Sequence, residues 1–419
     1  MTIHNLLPPS RESRKDTYTL FQAILTGIAV FLFLNTALGF YLYGLFEYAI
    51  HPQNGEQLLA YWLPASGFFI SGLILCLPTI LSLSRWFGWN APAWLEKLKI
   101  PRLRYLFFAF LAVIVIGYII STHSFTTAIF LPFLHMGGIV IPILFALGLG
   151  LRGVVNGSAQ RKWGAFSVGL GLVPPLIFLI ETIALVIFVL MIAVYISQDE
   201  ALIREFGQFA YRLRSFSASP EEMIQQVRPY LSQPAIVLLI LFFSAIVVPL
   251  IEEAIKPLAA WMLSNRLSTS AEGFSTGALC GAGYALLESF LLASTREQWV
   301  GAVIGRSGTA FIHIFTAALM GSALIEAWRQ RRYIRLAIAY LCAVFLHGTW
   351  NALAILFTLR TLTDGNQGFW SIEWANRLAY STPLNITAIA TLLAIGLWRF
   401  NHLTRKKPGT ISALSSENK

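Results

Sequence analysis

Long apolar runs recur along this chain, and they limit its possible folds more than any other feature of the sequence. A helix needs about 20 predominantly apolar residues to cross the ~30 Å hydrocarbon core of a bilayer. Inside that core the backbone polar groups must be satisfied within the chain, and runs of this length do so as helices. The sequence therefore predicts an all-α, polytopic transmembrane helix bundle. About ten spans are expected, near residues 20–43, 59–83, 105–121, 127–151, 165–196, 235–263, 273–294, 308–328, 333–359 and 380–400.

The distribution of charge supports a membrane protein and predicts its orientation. Only 12% of the 419 residues are charged, whereas a soluble domain carries about 25%. The net charge of +10 does not indicate a nucleic-acid partner, because the basic residues cluster between the apolar runs. With the N-terminus inside, 21 of the 30 Lys and Arg residues fall in inside segments and 8 in outside segments. Since cytoplasmic segments carry this excess, we expect a multi-pass protein of the plasma membrane with both termini in the cytoplasm.

The runs divide the chain into four parts. Pro174-Pro175 in the fifth run predicts a kinked helix, or a helix followed by a re-entrant piece. The segment after that run has an amphipathic rhythm typical of a solvated connecting helix or of a surface helix that docks a partner. The predicted parts are a five-helix membrane region over 1–196, an extracytoplasmic segment over 197–233, a second membrane region over 234–400, and a disordered cytoplasmic tail over 401–419.

Ionisable residues inside the predicted spans mark the region where function should be sought. On the translocon scale, one charge at mid-bilayer costs about 2.5–3.5 kcal/mol. Four normally charged residues would together cost on the order of 10 kcal/mol if they were unpaired. Pairing, proton uptake or a metal must therefore compensate most of this cost. The residues concerned are Glu252, Glu253, Lys256, Glu288, His313 and His347.

Small residues recur every four positions beside these polar groups. Such stripes let membrane helices pack closely, and residues four apart lie on one helix face. We therefore expect Glu288, His313, His347 and Asn351 to face a packed interior and not lipid. The stripes are Gly273, Gly277, Gly281 and Ala285; His313, Ala317 and Gly321; and Ala343, His347 and Asn351.

The spacing within the sixth span separates the roles of its two glutamates. Glu252 and Lys256 are four residues apart, which favours an ion pair on one face of a helix. Glu253 is rotated by about 100° from Glu252 and can face elsewhere. Pro249, one turn earlier, predicts a bend in this helix. A purely structural ion pair is the alternative interpretation.

Four motifs occur in a fixed order: Glu252-Glu253-x-x-Lys256, Tyr284-x-x-x-Glu288, His313, and His347-Gly-Thr-Trp-Asn351. In order, residue type and helix placement they resemble the PrsW family of intramembrane proteases, which is related to the CAAX prenyl endopeptidase and Abi group. The resemblance covers about residues 235–360. Tyr284 stands where the family usually has phenylalanine, and it keeps the aromatic ring.

The resemblance implies an endopeptidase that cuts a membrane protein or a membrane-anchored peptide with an activated water. By analogy, Glu253 is the general base, and Glu252 and Lys256 set its charge and position. His347 and Asn351 stabilise the oxyanion, while Glu288 and His313 complete the water site. In a second division of roles, Glu288, His313 and His347 hold a zinc ion. The sequence leaves the zinc and the metal-free mechanisms open.

Other classes fit the sequence less well. It contains no His-Glu-x-x-His, which zinc proteases of that type require, and no Gly-x-Gly-Asp. The tetrad Gly305-Arg306-Ser307-Gly308 matches the short rhomboid serine motif, but a serine mechanism leaves the glutamates unexplained. Arg306 is interpreted as an outer-surface anchor or a substrate contact. An ion-coupled transporter and a non-catalytic membrane scaffold are the alternatives from other functional classes.

Overall fold

A computed structural model of the chain gives an all-helical fold, and its described residues include no β-strand. Helices are the expected solution because apolar runs of this length must bond their own backbone groups in the bilayer. The described residues are 17–51, 55–90, 94, 99–122, 124–154, 157–214, 225, 227–291, 295–363 and 367–405.

The α-helices are numbered α1 to α14 in chain order. They are α1 (Thr17–Ile50), α2 (Gly55–Phe87), α3 (Leu103–Ser121), α4 (Ser124–Leu151), α5 (Ala159–Gly171), α6 (Val173–Ile196), α7 (Glu200–Arg214), α8 (Pro234–Phe242), α9 (Val248–Ile255), α10 (Leu258–Met262), α11 (Ser270–Leu291), α12 (Trp299–Gln330), α13 (Tyr333–Leu362) and α14 (Glu373–Arg405).

Nine helical stretches within the described residues are long and apolar enough to cross a membrane. They include the stretches Ala159–Ile196 and Pro234–Met262. The predicted span at 273–294 corresponds to α11, a 22-residue helix whose many Gly, Ser and Thr residues make it less apolar than those nine. The prediction of a polytopic helix bundle is thus confirmed.

Two compact units divide the chain. The first comprises residues 1–174, 256–339 and 393–419, and the second comprises residues 175–255 and 340–392. Helix α14 reaches Arg405, five residues into the segment predicted to be a tail. The remainder of that segment, 406–419, lies outside the described residues.

Glycines on α11 bring its backbone against the backbone of α12 in the first unit. A Cβ added at Gly277 would lie 2.0 Å from the carbonyl oxygen of Ala317. A Cβ at Gly273 would lie 2.3 Å from the Gly321 oxygen, and one at Gly281 would lie 2.4 Å from the His313 oxygen. The two small-residue stripes therefore pack on each other, and they fix the position of His313.

The opposite face of α11 packs on α5. A Cβ at Gly283 would lie 2.3 Å from the Phe166 oxygen, and one at Gly169 would lie 1.9 Å from the Cys280 oxygen. An ion pair of 2.7 Å between Arg161 and Glu272 joins the ends of these two helices. Helix α11 is therefore held on two sides by backbone contacts that only glycine permits.

Breaks interrupt two of the predicted spans. The fifth is divided between α5 and α6, at Leu172 and just before Pro174-Pro175, where the sequence predicts a kink. The sixth is divided twice: a π-helical turn, Phe243–Val247, separates α8 from α9, and Pro257 separates α9 from α10. Proline explains both positions in the sixth span, because Pro249 and Pro257 cannot donate a backbone hydrogen bond to the preceding turn.

An apolar core in the second unit holds its helices together. Val237 of α8 packs with Leu356 and Leu359 of α13. Phe369 and Trp370, which are 2% and 1% exposed, complete this core from the link between α13 and α14. The second unit therefore has a core of its own.

Candidate active site

A line of polar side chains runs through the first unit and centres on His313 of α12. His313 is fully buried, and its Nδ1 lies 2.8 Å from Nζ of Lys256. Its Nε2 lies 2.5 Å from Oε2 of Glu288, a residue of α11. A neutral imidazole can accept at one nitrogen and donate at the other. His313 therefore links a buried cation to a carboxylate.

Arg306 extends this line beyond Glu288. One guanidinium nitrogen lies 3.0 Å from Oε1 of Glu288, and Nε donates to the hydroxyl of Ser289 at 3.3 Å. The side chain of Glu288 is 32% exposed, whereas His313 is not exposed at all. The carboxylate end of this line is therefore less enclosed by protein than the imidazole.

The start of α12 explains why the sequence prediction did not place Arg306 within the site. The apolar run begins near residue 308, so Arg306 is expected in an outer loop, whereas α12 begins at Trp299. One signal could have indicated its position. Arg306 precedes His313 by seven residues, which places both on the same face of a continuous helix.

The ring of Tyr284 forms one wall of this line. It meets the His313 ring edge to face, with centroids 5.1 Å apart and an interplanar angle of 89°. Nζ of Lys256 lies 5.4 Å from the Tyr284 ring centroid, within the range of a cation–π contact. The aromatic residue of the Tyr284-x-x-x-Glu288 motif thus positions both the histidine and the lysine.

A second cluster of carboxylate and imidazole groups lies in the second unit. Nδ1 of His347 on α13 is 2.9 Å from Oε1 of Glu253 and 3.9 Å from Oε2 of Glu252, both on α9. The side chain of Glu253 is 0% exposed and that of His347 is 3% exposed. A charge-assisted hydrogen bond in such a buried setting is stronger than one in water.

Three contacts hold α13 beside the π-helical turn and α9. A Cβ at Gly348 would lie 2.2 Å from the Ala245 oxygen, so only glycine permits this approach. Asn351 donates its amide to the Ser244 oxygen at 3.0 Å, and the Tyr340 hydroxyl donates to the Leu250 oxygen at 2.7 Å. Because His347 is adjacent to Gly348, these contacts bring its ring to the glutamates.

All seven residues expected at the site lie among the described residues. Lys256, Glu288 and His313 belong to the first unit, and Glu252, Glu253, His347 and Asn351 belong to the second. Helix α9 ends at Ile255, so Lys256 lies just beyond the helix that was expected to carry both it and Glu252.

Two side chains of the tetrad that matches the rhomboid motif have partners in the structure. Its serine, Ser307, donates its hydroxyl to the Ile304 oxygen of the same helix at 2.6 Å. Its arginine, Arg306, pairs with Glu288. The tetrad therefore contributes an ion pair to the glutamate line.

Comparison with known proteins gives one family. A family model described as "PrsW family intramembrane metalloprotease" matches residues 159–370, which is half of the chain and includes all seven expected site residues. This match extends beyond the motif region at 235–360. No curated protein and no solved structure matches the chain.

Proposed function

Because the chain belongs to the PrsW family of intramembrane metalloproteases, we propose that it hydrolyses a peptide bond of a membrane-associated protein with a water activated by Glu253. The family and the nine apolar stretches among the described residues make it a multi-pass integral membrane protease. The observation that carries the proposed mechanism is the buried contact of 2.9 Å between Glu253 and His347.

This pair is suited to take a proton from water. Nδ1 of His347 lies 2.9 Å from Oε1 of Glu253, and we assign the uptake of the proton to this carboxylate. The water oxygen then bonds to the scissile carbonyl carbon. The proton passes from Glu253 to the departing amine as the C–N bond breaks, giving one new carboxyl group and one new amine. A positioned general base contributes typically 10²–10⁴-fold to the rate.

The oxyanion that forms in this reaction needs donors. We assign this task to His347 and Asn351, as the resemblance implies. One hydrogen of the Asn351 amide is donated to the Ser244 oxygen, which holds the group in place, and the second is assigned to the oxyanion. Donors fixed in this way stabilise developing charge without reorganisation during the reaction.

Lys256, His313 and Glu288 are proposed to serve the same reaction. The short sequence separation of Glu253 and Lys256, only three residues, supports this proposal. Three residues span at most about 11 Å, so the base and the lysine stay close in any arrangement. Lys256 sets the charge around Glu253, while Glu288 and His313 hold the incoming water.

The ligand types allow the division of roles in which Glu288, His313 and His347 hold zinc, since zinc is bound by carboxylate oxygen and imidazole nitrogen. A zinc-bound histidine commonly donates its other N–H to a carboxylate, and His347 contacts Glu253 in this way. His313 and Glu288 fit this set because Nε2 of His313 lies 2.5 Å from Oε2 of Glu288, so two of the ligand atoms are adjacent. When bound, zinc would polarise the scissile carbonyl and acidify the water.

Metal analysis of the purified protein tests this donor set. We expect about one zinc per chain, as three protein ligands and an open position require, and loss of the zinc in the variant E288A/H313A/H347A. E326A removes an acid of α12 outside the site and should keep the metal. An active wild-type protein without metal would overturn the zinc proposal and leave Glu253 acting alone.

The proposed proteolytic function is tested by identifying the new N-termini that cleavage produces in other membrane proteins. Membranes of cells that express the chain are compared with membranes of cells that express E253Q, and new N-termini are identified by mass spectrometry. We expect new termini within or beside spans of other membrane proteins, in the wild-type sample alone. The same set of termini in both samples would contradict the proposed function.

Replacing Arg306 tests its action through Glu288. We expect R306Q to lower kcat by about 10–100-fold, the usual effect of losing a group that orients a metal ligand or catalytic group. R306K should recover part of the loss, since an ammonium can still pair with Oε1. S289A removes the weaker contact of Arg306 and serves as the control. An increase in KM at unchanged kcat would instead assign Arg306 to substrate binding.

A further inference from the structure

Three arginines line an open surface cavity at the ends of α3 and α4. The cavity has a volume of about 390 Å³ and is lined by Arg102, Leu103, Arg104 and Arg152. Two of the arginines flank the first residue of α3, and the third follows the last residue of α4. All four lining residues belong to the first unit.

The positive charge of this cavity is not neutralised within the part of the chain that the structure describes. Arg104 donates to the hydroxyl of Tyr105 at 3.0 Å and lies over its ring, 4.9 Å from the centroid. Among the described residues, no acidic side chain pairs with Arg102, Arg104 or Arg152. Three adjacent guanidinium groups of this kind favour an anion, and a phosphate suits their planar donors.

The frame around the cavity is fixed without the use of these charges. Asn401 of α14 is 2% exposed, and its amide donates to the oxygens of Gly150 and Arg152 at 2.9 Å each. A Cβ at Gly148 would lie 2.7 Å from Cδ2 of Leu103, so the ends of α3 and α4 are in close contact. The arginine side chains are therefore presented by a rigid backbone and remain available for a ligand.

The surface of α3 points to a lipid as the source of the phosphate. This helix has 19 residues, a length of about 28 Å, which matches the ~30 Å hydrocarbon core and puts its first residue at headgroup level. Only Leu106 and Gly117 of α3 are buried. Phe107, Phe108 and Leu111 are 55%, 64% and 50% exposed, so an apolar surface begins one turn from the arginines.

We propose that this cavity binds the phosphate of an anionic phospholipid, whose acyl chains lie along the exposed face of α3. A free phosphate would use the cavity but not the apolar face. A zwitterionic lipid would use the face but would gain less from three guanidinium groups. The proposal is independent of the proteolytic function.

Native mass spectrometry of the purified, detergent-solubilised protein tests the site. Phosphatidylglycerol and phosphatidylcholine with identical acyl chains are compared as ligands. We expect phosphatidylglycerol to bind more tightly, and R102Q/R152Q to weaken its binding about tenfold, on the scale by which basic residues attract anionic lipid. R332Q/R335Q is the matched control, since it also removes two positive charges but from arginines that pair with Glu326.

The variants distinguish specific binding at the cavity from a nonspecific effect of lower positive charge. R102K/R152K keeps both charges and should bind phosphatidylglycerol more tightly than R102Q/R152Q; this comparison also serves if the glutamine variant does not fold. Equal binding of the two lipids, or an equal loss in the control, would overturn the proposal. Displacement of the lipid by an equal concentration of inorganic phosphate would assign the cavity to free phosphate and would overturn it as well.

Discussion

The variant E253Q is expected to cut its substrates about a thousandfold more slowly than the wild-type protein while it still folds and inserts. Glutamine has nearly the shape of glutamate and can still contact His347, which lies 2.9 Å from the carboxylate. It cannot take a proton from water, and a positioned general base is worth 10²–10⁴-fold. The loss should therefore appear in the rate and not in the stability of the protein.

The measurement is the rate at which a membrane-anchored reporter, identified among the new termini, is cut in reconstituted vesicles. E326Q is the matched control, because it makes the same chemical change in a glutamate outside the proposed site and should retain activity. A rate for E253Q within a few-fold of the wild type would contradict the assignment of the base. In that case E288Q becomes the variant to examine, since Glu288 also contacts a histidine.

The largest effect on stability is expected from G277V. Its first added carbon would lie 2.0 Å from the Ala317 oxygen and 2.8 Å from the Ala317 carbonyl carbon. These are backbone atoms of α12 and cannot rotate away, so α11 and α12 must separate. Overpacking of this kind costs about 3 kcal/mol, and loss of the close helix contact adds to it.

Thermal unfolding in detergent measures this effect, with G27V as the control. Gly27 lies within the 34-residue helix α1, and a Cβ there would meet nothing within 4 Å. G27V should unfold near the wild-type temperature, and G277V should unfold well below it or fail to fold. Equal unfolding temperatures for the two variants would show that the glycine seam is not needed for stability.

Local patterns explain how much of the fold could be predicted from the sequence. Hydropathy over about 20 residues can be read from each segment alone, and it predicted the helical bundle and most of its spans. The spacing of Gly273, Gly277 and Gly281 is also local, and it predicted which face of α11 packs closely. Pro174-Pro175 predicted the break that follows α5.

Contacts between distant segments could not be predicted in the same way. The pairing of Glu288 with Arg306 depends on where α12 begins, and nine helical residues precede the apolar run that was expected to start it. The contact of Lys256 with His313 joins residues that are 57 positions apart. The close approach of Gly348 to the Ala245 oxygen likewise joins two helices that are distant in sequence, and no periodicity indicates it.

The number of residues in the π-helical turn before α9 determines the direction in which Glu252 and Glu253 point. A π-helical turn accommodates one more residue than an α-helical turn, and each residue rotates a helix by about 100°. Phe243–Val247 immediately precedes α9, so the number of residues in the turn sets the azimuth of Glu252 and Glu253. A chain with the same side chains but one residue fewer there would aim a different face of α9 at His347. In a site that follows a π-helical turn, a deletion in the turn is therefore expected to disrupt the site as much as loss of a carboxylate does.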